Sequence, residues 1–139
     1  MAQNTTPIYT STPHIGWATT SMSAANTSTD GTGTSYTVFT AGSSGSYVQR
    51  IIFRPAAITN NTATVARVFI NNGLTSSTPA NNIIINEISL PATTATSTAA
   101  LQGVEVPLNF TLPVSYSIFV TMGATTGNGW YASCIGGDY

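Results

Sequence analysis

The chain has 139 residues, of which only three are basic, all of them arginine, and four are acidic. Charged residues usually make up about a quarter of a soluble protein, and a net charge of −1 creates almost no long-range field. We therefore expect neither nucleic acid nor an anionic membrane as a partner, whereas so neutral a surface favours self-association.

Threonine, serine and asparagine together exceed a third of the chain and supply most of its polarity. These residues are poor helix formers, while threonine suits strands and asparagine and serine suit turns. The sequence opens without a basic and then apolar signal pattern, and no apolar run reaches the ~20 residues that span a bilayer. The single Cys134 excludes an internal disulfide and is typical of a protein that matures in a reducing compartment.

In chain order, residues 1–13 are predicted to form an extended N-terminal arm, and residues 14–139 a single domain. Short apolar segments bounded by Gly, Asn, Ser and Pro then recur along the domain and predict about eight strands. This pattern is typical of an all-β, antiparallel sandwich or barrel. The predicted strands are 14–20, 36–40, 47–54, 64–71, 83–90, 104–110, 116–122 and 130–135.

Two segments of the predicted domain depart from a simple strand pattern. Pro107 lies inside the strand 104–110, and because proline cannot donate to a ladder, we expect an edge strand or a bulge there. The stretch 92–102 has the length of a short helix but many threonines, so we predict a loop with at most one helical turn.

Both faces of the central strands are apolar. In the strand 47–54, alternation separates Val48 from Ile51 and Phe53, and neither face is plainly polar. A solitary antiparallel sandwich usually has one polar face on each sheet. We infer that one face packs in the core and the other against a second subunit; alternatively, loops or the arm cover that face within one chain.

The predicted outward face of the next two strands also contains charges. Arg67 and Glu87 occupy comparable central positions on consecutive strands, and a charge on an apolar face is costly unless it is paired. We therefore predict a hydrogen-bonded ion pair between them, either within one subunit or between subunits, with Arg50 or Arg54 contributing.

Nucleophilic catalysis has few candidate residues in this chain. His14 is the only histidine, and a Ser-His-Asp arrangement would have to combine it with Asp30 or Asp138 and a serine. No G-x-S-x-G motif is present, and Cys134 lies in an apolar strand where a buried, inert thiol is expected. We therefore expect structural roles for these residues and do not expect an enzyme.

Other chemistry is similarly unsupported by the residue pattern. One histidine, one cysteine and scattered carboxylates give no metal-ligand spacing, and the phosphate-binding glycine motifs are absent, so no metal or cofactor is expected. Glu87 and Glu105 could in principle act as the paired carboxylates of a small glycosidase, which is the weakest of the functional alternatives.

Sugar binding is better supported than catalysis. Trp17, Trp130, Tyr131 and Tyr36 are flanked by Gly, Asn and Thr, a combination that stacks on sugar rings and hydrogen-bonds to hydroxyls. Packing in the core is the other interpretation of these aromatic residues. We retain Trp17, Trp130 and Tyr131 as possible sugar-binding residues.

Several segments taken together carry a resemblance to a known class of proteins: DGTGTSYTVFTAGSSGSYVQRIIFRP, ATVARVFINNG, the ANN before IIINEISLPATT, and a closing GW followed by GGDY. This pattern, over most of residues 29–139, resembles small virion structural proteins of tailed bacteriophages, including capsid decoration (cement) proteins of β-sandwich type. The resemblance implies a jelly roll or related sandwich, assembly as a homotrimer, and binding at symmetry axes of a capsid. It implies no catalytic residues.

The leading hypothesis is a capsid decoration protein that is made in the host cytoplasm, lies on the capsid surface and bridges subunits of the major capsid protein. The alternative is a carbohydrate-binding head domain of a tail or fibre, and the pattern does not separate these locations. The predicted contact residues are Ile8 and Tyr9 in the arm, and Val65, Arg67, Phe69, Ile83, Ile85 and Glu87 on the outward face.

Overall fold

A computed structural model describes residues 9–56 and 60–139 and has the all-β architecture that the sequence predicts. Two antiparallel four-stranded sheets pack as a β-sandwich, and within the described residues the only helical element is the 3-10 turn Pro79–Asn81. None of the described residues forms a helix that is long and apolar enough to cross a membrane. The strands are β1 (Thr12–Trp17), β2 (Tyr36–Thr40), β3 (Ser46–Pro55), β4 (Thr64–Asn71), β5 (Asn82–Leu90), β6 (Val104–Leu112), β7 (Ser117–Met122) and β8 (Trp130–Asp138).

The strand order interleaves the two halves of the chain. Sheet A has the order β1-β8-β3-β6, and sheet B has the order β2-β7-β4-β5. Each of the first four strands thus pairs with one of the last four: β1 with β8, β2 with β7, β3 with β6 and β4 with β5. Strands β1 and β6 are the edges of sheet A, and β2 and β5 are the edges of sheet B.

Both ends of the chain extend the predicted strands. β1 begins at Thr12, inside the predicted arm, and its first residues pair with Gly137 and Asp138. The glycine-rich end of β8 was predicted to lie beyond the strand. It continues the strand and needs glycine there, because Gly136 passes so close to β3 that a Cβ would collide with the carbonyl oxygen of Tyr47.

The core lies between the sheets and contains buried side chains of every strand except the edge strand β1. The edge strand β6 contributes Leu112, and its other apolar residues are half-buried against the margin of the core. Strict alternation does not hold in β3, since Val48 and Ile51 are both fully buried in the same core. The register of β3 against both neighbours shifts between Val48 and Arg50, and this bulge moves the following residues to the opposite face. The predicted separation of Val48 from Ile51 is therefore wrong.

The prediction for Pro107 is confirmed. It lies in the edge strand β6, at a bulge in the pairing with β3. Val48 pairs with Phe110 and Arg50 pairs with Pro107, so two residues along β3 correspond to three along β6. Asn109, inside this bulge, has a φ of 53°. The stretch 92–102 is a loop without a helical turn, and Thr93 forms an isolated bridge with Asn61.

Candidate functional site

The outer face of sheet B is covered by a loop of the same chain. Residues 23–35 leave the end of β1, and the backbone N–H of Asn26 donates to the carbonyl of Met122 at 2.6 Å. Asn82 donates to the carbonyl of Asp30 at 3.3 Å, and a Cβ on Gly31 would lie 3.0 Å from the ring of Phe119. We call residues 23–35 the covering loop.

Asn26 holds the covering loop in its shape. Its side-chain amide donates to the carbonyls of Thr32 and Thr34, both at 2.7 Å, and its side-chain oxygen accepts the N–H of Ser28 at 2.9 Å. The carboxylate of Asp30 accepts hydrogen bonds from the hydroxyl and from the backbone N–H of Thr32, and these hydrogen bonds lower the pKa of Asp30. A loop that is otherwise rich in Thr, Ser and Gly thereby acquires a defined conformation.

The covering loop buries two aromatic rings on the outside of sheet B. Phe69 and Phe119 lie opposite each other on β4 and β7, with ring centroids 5.1 Å apart and planes within 5°, and Phe69 is 1% exposed. Phe69 therefore cannot contact a second subunit in this conformation, which corrects its assignment to a contact surface. For this part of the face, the alternative of a loop within one chain is the one that the structure shows.

The predicted ion pair is confirmed within one chain. The Nε atom of Arg67 lies 2.9 Å from the Oε1 atom of Glu87, and the two residues are directly opposite on β4 and β5. Arg67 also donates to the carbonyl of Asn26 at 3.2 Å, so the pair anchors the covering loop. Arg50 and Arg54 do not contribute, because both lie on sheet A.

The free edge of sheet B carries exposed isoleucines. Ile83 and Ile84, at the start of the edge strand β5, are 62% and 40% exposed. Ile85, at a register shift of this strand, is half-buried and packs against the core, and Val65 on β4 is also half-buried. Of the predicted outward apolar residues on the two strands, Ile83 is therefore the exposed one, and Ile84 is exposed beside it. We call this surface the β5 edge.

The outer face of sheet A has no covering loop among the described residues. Trp17 on β1 and Tyr131 on β8 are 62% and 51% exposed, and Ile15 also projects into solvent. Half-buried Ile135, opposite Ile15, and Ile52 on β3 lie on the same side of the sheet. We call these five residues the aromatic face. Trp130, by contrast, is 0% exposed in the core, so it cannot stack on a sugar, and its assignment to a sugar site is corrected.

The pairing register orders the aromatic face across the strands. Trp17 lies opposite Ser133, so Tyr131, two residues away on β8, is its diagonal neighbour on the same side. Tyr131 in turn lies opposite Arg54 on β3. Three neighbouring strands, β1, β8 and β3, therefore carry Trp17, Tyr131 and Arg54 in that spatial order.

Two arginines of sheet A differ in their partners. Arg50 pairs with Glu105 on β6, with 3.0 Å between Nη1 and Oε1. Arg54 is exposed and meets only the carbonyl of Leu101, at 3.4 Å; no described carboxylate pairs with it. It borders a groove of about 350 Å³, which the loop 95–101 closes on the other side.

The candidate acids and nucleophiles form a structural cluster. His14 Nδ1 lies 2.9 Å from Asp138 Oδ1, and the buried Ser46 hydroxyl donates to the same carboxylate oxygen. Burial alone would raise the pKa of Asp138, but the hydrogen bonds with Ser46 and His14 outweigh it, and the pKa is lowered. The carboxylate stands between the serine and the histidine, whereas nucleophilic catalysis requires the histidine to contact the serine.

The remaining candidates are not brought together. Cys134 is buried in the core, as predicted, and desolvation raises the pKa of its thiol to about 12. Glu87 and Glu105 are each paired with their own arginine. Among the residues that the structure describes, no three His, Cys, Asp or Glu side chains are grouped to hold a metal ion. Tyr9 is highly exposed, and Ile8 lies outside the described residues.

Comparison with family models, with curated proteins and with solved structures gave no match in any of the three searches.

Sequence reasoning missed Ile84, Ile15 and Arg54 as surface residues. A signal for Ile15 was present, because Gly16 between two bulky residues is typical of a strand whose inner side is approached closely by another backbone. A Cβ on Gly16 would collide with the carbonyl oxygen of Val38 on β2, so Ile15 and Trp17 must point outward.

Proposed function

We propose that this chain is a virion structural protein of a tailed bacteriophage, a decoration (cement) protein that assembles as a homotrimer and bridges subunits of the major capsid protein. The observation that carries the proposal is the β5 edge, where Ile83 and Ile84 are exposed on a free strand. The attachment to a capsid comes from the resemblance of the sequence segments, and the assembly comes from the surface.

An edge strand presents unpaired N–H and C=O groups that accept a strand from another chain. Monomeric proteins guard such edges with lysine, proline or an inward charge. The chain has no lysine, β5 has no proline, and its only charge, Glu87, is already engaged by Arg67. Isoleucine side chains beside an unguarded edge favour pairing with protein and disfavour exposure to water.

The strand order supports the same proposal by analogy of fold. The strand orders β1-β8-β3-β6 and β2-β7-β4-β5 in two packed sheets support our proposal of a double-sheet jelly roll, an architecture that occurs in viral capsid and lectin domains. Fold analogy carries no function by itself. Together with a nearly uncharged surface, it favours a protein whose role is to bind other protein surfaces.

The mechanism of stabilisation is mass action. A protein that binds the assembled shell but not free capsid subunits stabilises the shell by RT ln(1 + [L]/Kd), where [L] is the free concentration. No catalytic group is required, and a large contact between strand edges is sufficient.

The experiment is analytical ultracentrifugation of the wild type and of Ile84→Lys, which places a charge on the β5 edge. We expect trimers for the wild type and monomers for the variant. Val114→Lys is the matched control, because Val114 is an exposed apolar residue in the turn after β6. A wild type that stays monomeric at tens of micromolar contradicts the assembly proposal.

Location is tested separately by cryo-electron microscopy of virions that contain the chain. Density for this sandwich on the head, between capsid subunits, is expected. Density on the tail or fibre contradicts the decoration role and favours the second candidate.

The second candidate function is a carbohydrate-binding head domain of a tail or fibre. The specific observation that favours it is the aromatic face, because Trp17 and Tyr131 are exposed on adjacent strands of one sheet. This face and the β5 edge belong to different sheets, so the two functions do not require the same surface.

A further inference from the structure

We propose that the aromatic face binds an acidic polysaccharide of the uronic-acid type, with sugar rings stacked on Trp17 and Tyr131 and a sugar carboxylate bound by Arg54. The proposal rests on the second candidate function and names its ligand class. It is independent of the β5 edge and of any location on a capsid.

The aromatic rings provide an apolar platform of the right shape. Trp17 and Tyr131 project from neighbouring strands on the same side, and such diagonal neighbours lie roughly 7–8 Å apart at their Cα atoms. Large rings in water leave apolar area uncovered, whereas the apolar face of a pyranose covers a ring and keeps its own hydroxyls in solvent. Strands about 4.8 Å apart thus offer successive stacking positions to a chain that crosses them.

Arg54 provides the charge. Arg50 and Arg67 each have a carboxylate partner, whereas Arg54 has only the carbonyl of Leu101 at 3.4 Å among the described residues. A guanidinium presents a planar fork that matches a carboxylate in bidentate geometry. Arg54 lies opposite Tyr131 on the next strand, and its guanidinium extends toward Leu101 and Gly103, beside the groove of about 350 Å³ at the β6 side of the sheet. A chain that crosses the strands from Trp17 over Tyr131 reaches this groove next.

Charge complementarity favours this ligand over the other occupants of the face. A second copy that paired symmetrically through the same face would bring two unpaired arginines into one interface. A nucleic acid requires several phosphate contacts, and this face has one unpaired cation. A neutral sugar would leave the guanidinium without a partner, whereas a uronic acid satisfies both the rings and the charge.

The test compares polygalacturonate with its fully methyl-esterified form, because the two share a backbone and differ in charge. Binding is followed by isothermal titration and by the fluorescence of the exposed Trp17. We expect the wild type to bind the acid form more tightly, with an affinity that falls as salt is added. Arg54→Gln should weaken binding of the acid form roughly tenfold or more and remove the preference over the ester.

Trp17→Ala and Tyr131→Ala should weaken binding of both forms, because each removes a stacking surface. Tyr9→Ala is the control for an exposed aromatic residue outside the face, and Arg50→Gln is the control for an arginine that already has a partner. All five positions lie at the surface or on its edge, and a thermal melt checks that each variant folds.

Three results would overturn the proposal. The first is the absence of binding to polygalacturonate, alginate and hyaluronate at millimolar sugar. The second is binding that Arg54→Gln leaves unchanged. The third is a wild-type oligomer that Trp17→Ala dissociates, which would show that a second copy occupies the face. None of these depends on Ile84→Lys, so failure here and failure of the assembly proposal are distinguishable.

Discussion

Replacing Asn26 with alanine should open the covering loop and expose the outer face of sheet B. The side chain of Asn26 is the hub of three hydrogen bonds, to the carbonyls of Thr32 and Thr34 and from the N–H of Ser28. The backbone of residue 26 keeps its own bonds to Met122 and Arg67 in the variant, so only the following part of the loop is released.

The expected loss of stability follows from these contacts. Each intramolecular hydrogen bond contributes about 1 kcal/mol net, and a carbonyl left buried without a partner costs somewhat more. Three lost bonds therefore give about 3 kcal/mol. For a chain of this length, each kcal/mol lowers the melting temperature by about 3 °C, so the variant should melt about 10 °C below the wild type.

Three measurements check this expectation. Circular dichroism gives the melting temperature, hydrogen exchange reports whether residues 27–35 lose protection, and binding of an apolar dye reports whether Phe69 and Phe119 become accessible. Asn60→Ala is the matched control, because Asn60 is exposed in a loop. That control should change the melting temperature by no more than about 2 °C.

The reasoning fails if Asn26→Ala melts with the control and the loop keeps its exchange protection. In that case, the packing of Gly31 and its neighbours on the aromatic rings would hold the loop without the side-chain hub. A variant that is destabilised but binds no dye would place the damage elsewhere and would equally contradict the role given to Asn26.

Three further predictions concern the remaining buried contacts. Arg67→Met should cost about 2 kcal/mol in urea unfolding, because it removes a charged hydrogen bond and the contact with the covering loop, whereas Glu87→Gln should cost less than about 1 kcal/mol, since that carboxylate is 56% exposed. A larger loss of unfolding free energy for Glu87→Gln than for Arg67→Met would contradict this expectation. Burial alone would raise the pKa of Asp138, but hydrogen bonding outweighs it and lowers this pKa below the usual value of 3.8. The ionised Asp138 therefore stabilises the folded state above pH 3.8, and this contribution is lost as the pH falls through the lowered pKa. Asp138→Asn should flatten the dependence of the unfolding free energy on pH between about pH 5 and 3. Gly16→Ala should destabilise by more than about 2 kcal/mol, because its Cβ would collide with a carbonyl oxygen, whereas Gly123→Ala, where the nearest atom is 3.5 Å away, should be tolerated.

Local rules in the sequence were sufficient for most of the fold. Alternation and glycine or proline punctuation placed all eight strands within a few residues, and proline chemistry identified Pro107 as an edge position. The Arg67–Glu87 pair was also accessible, because an isolated charge on an apolar strand requires a partner on the neighbouring strand.

The features that sequence reasoning missed are those that depend on a contact between distant segments. The bulge at Val48 and Arg50 changes which side chains of β3 enter the core, and nothing in the local alternation announces it. The fate of Phe69 was decided by the covering loop, which precedes it by about forty residues and reads only as Thr, Ser and Gly turns. A period-2 pattern shows that a face is apolar, but it does not show what covers it.

The two outer faces of the sandwich differ in how far their aromatic side chains are shielded from water. On sheet B, the covering loop lies over Phe69 and Phe119, and the hydrogen bonds of Asn26 and Arg67 oppose the conformational entropy that this loop loses when it is ordered. Sheet A has no comparable hub among the described residues, and Trp17 and Tyr131 stay in water. No described segment covers the aromatic face, and the cover that we propose is a ligand that brings an apolar surface to the rings and a negative charge to the unpaired Arg54.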